Sequence, residues 1–389
     1  MEKAHSANSR FNELDLFRFL AAIAVVMYHW TFRGAAARNL TSFSIPEFAP
    51  WVKYGYLGVD LFFILSGFVI LLSIQGKGPV EFVISRFTRL YPAFWTCCTV
   101  TFLVCWFAGG DRFPVTLPQF LANLTMFNFY LGQDNIDGVY WTLMEEMKFY
   151  AFVFVLLCCR QSHRIETFLQ AWLVASLVCL LSQRRELIFL TSARWSGHFI
   201  AGATYFLINR SGLTPRRVLL LLTAGSYSTY MAASNAEMLT ERYHTNFDPL
   251  VLSGLVLSFH ALFFAVSQGW TQFSTKAFRV LGNLTYPLYL LHQNIGYLAL
   301  DQFAQTGRPF LALTVVTGVA LLASWAVYFL VERNVNHRLK CWLENRFVRR
   351  AAVEEPLVLQ FGQAGTAALT EMCVWLSNAD TPKEEQKAA

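Results

Sequence analysis

Arg18 and His29 lie eleven positions apart in LDLFRFLAAIAVVMYHW (Leu14–Trp30), an otherwise apolar run, and Asp15 precedes Arg18 by three. In a helix at about 100° per residue, eleven residues make three turns plus about 20°, so all three share one face. The rise from Arg18 to His29 is about 16 Å, roughly half the hydrocarbon core of a bilayer. An ionisable group in a spanning helix costs a few kcal/mol on insertion scales, so it usually has a partner or a task. An imidazole has the basicity to take a proton from a hydroxyl near neutral pH. It can also act as a nucleophile itself. The plainer readings are that Arg18 snorkels to the membrane surface and that His29 is hydrogen-bonded at the opposite interface beside Trp30.

Four further stretches carry polar chemistry in apolar surroundings. SRFTRLYP places Arg86 and Arg89 three apart, on one helix face, where two guanidiniums can fork onto phosphate or simply anchor a helix end. IDGVYWTLMEEMKFY holds Glu145, Glu146 and Lys148. Glu145 pairs on paper with Lys148 one turn on; Glu146 orients a site group, holds an arginine, or sits in a structural ion pair. Trp141 and Tyr150 in this stretch read first as interfacial or packing aromatics. GYLGVDLFFILSGFVI opens with Asp60, a site carboxylate or a helix cap, and carries Ser66. LGNLTYPLYLLHQNIG brings His292, which either contacts a substrate or packs beside Tyr289.

The elements that position these residues are membrane helices. The chain has 389 residues, is 55% apolar and only 14% charged, against about 25% charged in soluble domains. Its net charge of +6 falls in short blocks between apolar runs, a topological pattern that argues against nucleic acid. The eight cysteines show no zinc or disulfide spacing and read as packing residues. Segments able to cross a bilayer lie near 14–32, 55–75, 90–108, 138–158, 166–182, 195–208, 218–234, 250–266, 280–298 and 309–331. The sixth is the weakest, being short and holding His198.

Lys and Arg in the connections set the orientation. With the N-terminus in the cytoplasm, eighteen cations fall inside and nine outside. The expectation is an all-α integral membrane protein of about ten helices with both termini inside. Residues 1–13 form a cytoplasmic N-terminus leading into an uncleaved signal-anchor, 14–335 the membrane domain, and 336–389 a basic, then weakly ordered cytoplasmic tail.

Taken in order, these stretches resemble membrane acyltransferase family 3, whose ten-helix members O-acylate cell-surface polysaccharides, lipopolysaccharide, peptidoglycan, lipids and some secreted metabolites. The resemblance covers about residues 11–335. The family's first-helix arginine and histidine match Arg18 and His29, and its paired arginines match Arg86 and Arg89. Its Trp-Ser-Glu run resembles Trp141, Thr142 and Glu146, with Thr in place of Ser. Its Ser-Tyr…His run matches Thr285, Tyr286, Tyr289 and His292. The closing Glu-Arg-Pro appears as Glu332-Arg333-Asn334, without the proline.

The resemblance implies transfer of an acyl group, acetyl foremost, from acyl-CoA to a hydroxyl of a glycan, lipid or small metabolite, at a bacterial inner membrane and without a metal. In that reading His29 and Glu146 are catalytic. Arg18, Arg86 and Arg89 bind the donor. Asp15, Asp60, Ser66, Trp141, Tyr150 and His292 support. The competing class is a transporter or flippase of glycan or lipid precursors, which would more often show an internal repeat; none is visible here. The His-x4-Asp spacing of soluble-type glycerolipid acyltransferases is missing, since His244 and Asp248 have three residues between them.

Overall fold

A chain in hydrocarbon must satisfy its backbone hydrogen bonds internally, and this one does so with helices. The structure, a computed structural model, describes residues 11–37, 40–271, 275–304 and 306–348, and no strand occurs among them. The predicted N-terminal segment and most of the predicted tail fall at 1–10 and 349–389, outside the described residues.

Helix α1 (Asn12–Tyr28) runs on into a π-helical turn, His29–Arg33. After a 3-10 lead-in come α2 (Gly58–Ser73) and α3 (Pro79–Ala108). A short α4 (Leu117–Asn123) precedes α5 (Trp141–Cys158), α6 (Ile165–Ser182), α7 (Arg185–Leu190) and α8 (Ala193–Ser211). Then follow α9 (Pro215–Ser234), α10 (Ala236–Tyr243), α11 (Pro249–Ser267), α12 (Lys276–Leu291), α13 (Gln293–Asp301) and α14 (Pro309–Val327). A second π-helical stretch, Tyr328–Asn336, follows α14. Pro79, Pro215, Pro249 and Pro309 each open a helix, where a missing N–H costs nothing. By itself, the described segment 338–348 is helical, with Lys340 and Glu344 3.6 Å apart one turn on.

Six stretches are long and apolar enough to cross a membrane: Asn12–Ala36, Ala49–Ser73, Pro79–Ala108, Ser162–Ser182, Pro249–Ser267 and Pro309–Val348. The remaining four predicted segments are helical as well, but each is compromised. Helix α5 carries Glu145, Glu146 and Lys148; α8 and α9 are diluted by Gly, Ser and Thr. The ninth is divided at His292 into α12 and α13. The third begins eleven residues before its expected start at 90, so Arg86 and Arg89 lie well inside α3.

Small residues bring the helices together. Gly67 of α2 rests on the Phe199 carbonyl of α8, and Gly202 of α8 rests on the Ile64 carbonyl of α2; a Cβ at either would collide with backbone. Close approach of this kind is how helices associate in lipid. Phe68, Phe149, Phe199 and Phe263 fill the core around this crossing. Helix α1 packs against α2 and α12, and α12 against α3 and α14.

Asp301 ties the end of α13 to the chain after α1. It accepts from Thr41 Oγ1 at 2.6 Å and from Ser42 N at 2.8 Å, and it pairs with Arg112. Burial alone would raise this carboxyl, but the hydrogen bonds outweigh it and hold it below its ordinary range. Cys97, Cys98, Cys105 and Cys179 are buried packing residues. Cys158 and Cys159 are exposed at the end of α5, contrary to a packing role; Cys373 lies outside the described residues.

Candidate active site

Two neighbouring cavities among the described residues collect the polar side chains. The first, of about 120 Å³, is walled by Arg18 of α1, Ser66 of α2, Arg86 and Arg89 of α3, Glu146 and Tyr150 of α5, and Thr285, Tyr286 and Tyr289 of α12. Glu146 Oε1 accepts from Ser66 Oγ at 2.8 Å and from Tyr150 OH at 2.5 Å. The Arg86 guanidinium lies over the Tyr150 ring at 5.9 Å, and its buried Nε has no hydrogen-bond partner. Three guanidiniums face one carboxylate, a net of +2 from these side chains (3 − 1). A cavity wall of this charge is built for an anion.

The second cavity, of about 320 Å³, holds His29, Asp60, Trp141 and His198 on its wall, together with Arg33, Arg194 and Arg242. Val59 and Tyr289 belong to both cavities. Tyr289 is fixed there by a 3.0 Å hydrogen bond between its hydroxyl and Thr142 Oγ1.

His29 opens the π-helical turn, a local irregularity often found at functional sites. Its Nδ1 is 2.8 Å from the Val25 carbonyl oxygen. A carbonyl only accepts, so Nδ1 carries the proton and Nε2 keeps its lone pair. Behind it, His292 Nδ1 is 2.8 Å from the Tyr289 carbonyl, which by the same argument leaves His292 Nε2 as an acceptor. That Nε2 is 3.2 Å from His29 Nδ1. The His29 Nδ1–H is thus shared between Val25 O and His292 Nε2. His292 is held in turn by its backbone, whose carbonyl accepts from Trp30 Nε1 at 2.7 Å.

The residues singled out from sequence divide between the two cavities. Arg18, Arg86, Arg89, Ser66, Glu146 and Tyr150 line the first; His29, Asp60 and Trp141 line the second. Glu146 and His29 therefore do not share a cavity. His292 is on neither wall, and its Nε2 faces His29. Asp15 is also on neither wall; its side chain packs against Gly282 of α12. Glu145 pairs with Lys148 at 2.8 Å, as its spacing suggests. Asp60 does not cap α2, which starts without a side-chain cap. The helix has already begun at Gly58, and Asp60 turns inward to pair with His198 Nε2 at 2.9 Å.

Sequence reasoning missed several groups. His198 stood out only as the residue that weakened a predicted span. Arg33, Arg194 and Arg242 are among the nine cations expected on the outer side, and no local pattern shows that their three distant segments converge. Asp137 was passed over entirely. It accepts from Val139 N at 3.1 Å and Asn294 N at 3.0 Å, pinning the start of α5 to α13.

The described residues form a helical bundle with membrane-length apolar helices, in which an arginine-lined cavity shares Val59 and Tyr289 with a second cavity that holds His29. The chain belongs to acyltransferase family 3: the family's acyltransferase-domain model matches residues 11–329. It is 27% identical over 173 residues to BcsY of Komagataeibacter xylinus, named as a candidate membrane-bound transacylase, covering 40% of this chain and 39% of that protein. It is 29% identical over 170 residues to nodulation protein 10 of Rhizobium leguminosarum bv. viciae, covering 38% and 44%. It is 36% identical over 94 residues to the peptidoglycan O-acetyltransferase OatA of Listeria monocytogenes, covering 22% and 12%. The matches thus span less than half the length of these curated relatives. No solved structure matches the chain.

Proposed function

We propose that this protein transfers an acyl group, acetyl foremost, from acyl-CoA to a hydroxyl of a cell-surface or exported glycan, lipid or metabolite. The observation that carries the reading is the shared wall of the two cavities at Val59 and Tyr289. A donor whose charged end is held by the arginines of one cavity can present its thioester to a hydroxyl beside His29 in the other. The charged end of CoA sits on Arg18, Arg86 and Arg89.

The chemistry follows from the tautomer. His29 Nε2 takes the proton of the acceptor hydroxyl as its oxygen attacks the thioester carbonyl. The imidazolium formed is stabilised by the Nδ1–H shared between Val25 O and His292 Nε2. Collapse of the tetrahedral species expels CoA thiolate, which is protonated by the imidazolium Nε2–H, returning His29 to its starting state. Glu146 stays in the donor cavity, where it orients Ser66 and Tyr150 and balances the guanidiniums. The protein spans the cytoplasmic membrane about ten times with both ends inside, so that the first cavity opens toward cytoplasmic acyl-CoA. The sorting of cations supports this arrangement: Arg18, Arg86 and Arg89 of the expected inner side line one cavity, Arg33, Arg194 and Arg242 of the expected outer side the other.

The test is purified protein with radiolabelled acetyl-CoA and membranes, followed by identification of the labelled product. A variant with Arg86→Gln and Arg89→Gln should insert normally but bind acyl-CoA at least about tenfold more weakly, each lost charge-assisted contact being worth about 1.5–3 kcal/mol. Unchanged donor affinity in the inserted double variant would reduce these arginines to topological anchors.

A further inference from the structure

The second cavity carries more positive charge than a neutral acceptor would need. Arg33 comes from the π-helical turn after α1, Arg194 from the first turn of α8, and Arg242 from the last turn of α10. Three elements far apart in sequence thus bring a guanidinium to one wall. None of the three is in an ion pair among the described residues. Arg33 donates only to Tyr297 OH, at 3.4 Å, and Arg242 lies over the Tyr243 ring at 5.6 Å. The one acid on this wall, Asp60, is already paired with His198 Nε2. The donor's phosphates have their own three arginines in the first cavity, so they do not account for this charge.

The rest of the wall suits a sugar. Trp141 and Trp195 lie against each other, with ring centroids 5.1 Å apart and planes inclined by 38°. Both line the cavity, as do Asn235 and Gln293; indole rings pack on the apolar face of a pyranose, and side-chain amides hydrogen-bond to its hydroxyls. Arg194 and Arg242 are exposed and Arg33 is half-buried, so the positive charge grades from the mouth inward toward His29.

Resting on the acyl-transfer reading, we infer that the acceptor is an anionic saccharide, a sugar bearing a carboxylate or a phosphate close to the hydroxyl that is acylated. The anion is held by Arg33, Arg194 and Arg242, and the ring lies against Trp141 and Trp195. Guanidiniums match both oxyanions bidentately, so one chemistry serves two sources, a uronate residue within a glycan and a sugar joined through phosphate to a lipid carrier.

The experiment compares three acceptors with the purified wild-type protein and radiolabelled acetyl-CoA: a uronate-containing oligosaccharide, its carboxyl-reduced neutral counterpart, and a polyprenyl-phosphate-linked neutral sugar. Transfer to one of the anionic acceptors at least about tenfold above the neutral one, weakening as salt is raised, is the expected result; the better anionic acceptor identifies the source. In a variant with Arg194→Gln and Arg242→Gln the ratio should fall toward one, with acyl-CoA binding reporting that the variant is folded. Equal transfer to neutral and anionic acceptors overturns the inference while leaving acyl transfer intact. So does an undiminished ratio in the folded variant. Absence of transfer to every acceptor, including whole membranes, counts against the acyltransferase reading itself.

Discussion

In the proposed mechanism, His29 Nδ1 is the atom on which the chemistry turns. Held by Val25 O and facing His292 Nε2, it fixes the tautomer that leaves Nε2 basic. His292 is thereby a positioning residue, and its contribution has a specific signature. In His292→Gln the amide oxygen can still accept from His29 Nδ1, whereas in His292→Leu nothing can. Acyl transfer should therefore fall by about tenfold or more in the Leu variant and substantially less in the Gln variant, since the lost contact is one hydrogen bond to a developing charge. Equal loss in both would mean that His292 only fills space. The sequence showed half of this arrangement. The Arg18–His29 spacing was legible because eleven residues return to one helix face. That the two face different cavities was not, because cavity walls are made by other helices. The inward turn of Asp60 onto His198 likewise depends on α8, which no local pattern around Asp60 reveals.

Helix crossings place these groups, and the tightest rule is the one between α2 and α8. Gly202 against Ile64 O and Gly67 against Phe199 O leave no room for a side chain, so the crossing sets where Asp60 meets His198. Gly202→Leu should disrupt it, with a cost of about 1–3 kcal/mol or more from overpacking, read as a lower melting temperature or poor accumulation. Gly254→Leu on α11 is the control, because its Cβ would meet nothing within 4 Å. Comparable damage from both changes would contradict the close-packing account. The apolar runs made the helices visible in the sequence. Their irregularities were not visible: the π-helical turn at His29, the division at His292, and the early start of α3 all depend on neighbours. Pro287 lies within α12, five residues before the division, and it was the one local signal of an irregular helix there.

At the scale of the molecule, charge is sorted between two cavities that touch. The cation asymmetry predicts that reporter fusions after Arg164, Arg217 and Arg350 all lie in the cytoplasm, and one reliably outside would break the ten-helix arrangement. The six helices that pass by length and apolarity alone do not fix that count, because the others trade apolar residues for the site's charges and the bundle's small residues. In the proposed mechanism the acyl group crosses from the donor in the arginine cavity to a hydroxyl beside His29. The most direct measurement is transfer from radiolabelled acetyl-CoA by purified His29→Ala protein. Removing a general base costs about 10²–10⁴-fold, so the variant should bind acyl-CoA as the wild type does and lose nearly all transfer. Near-normal transfer by His29→Ala would contradict the account.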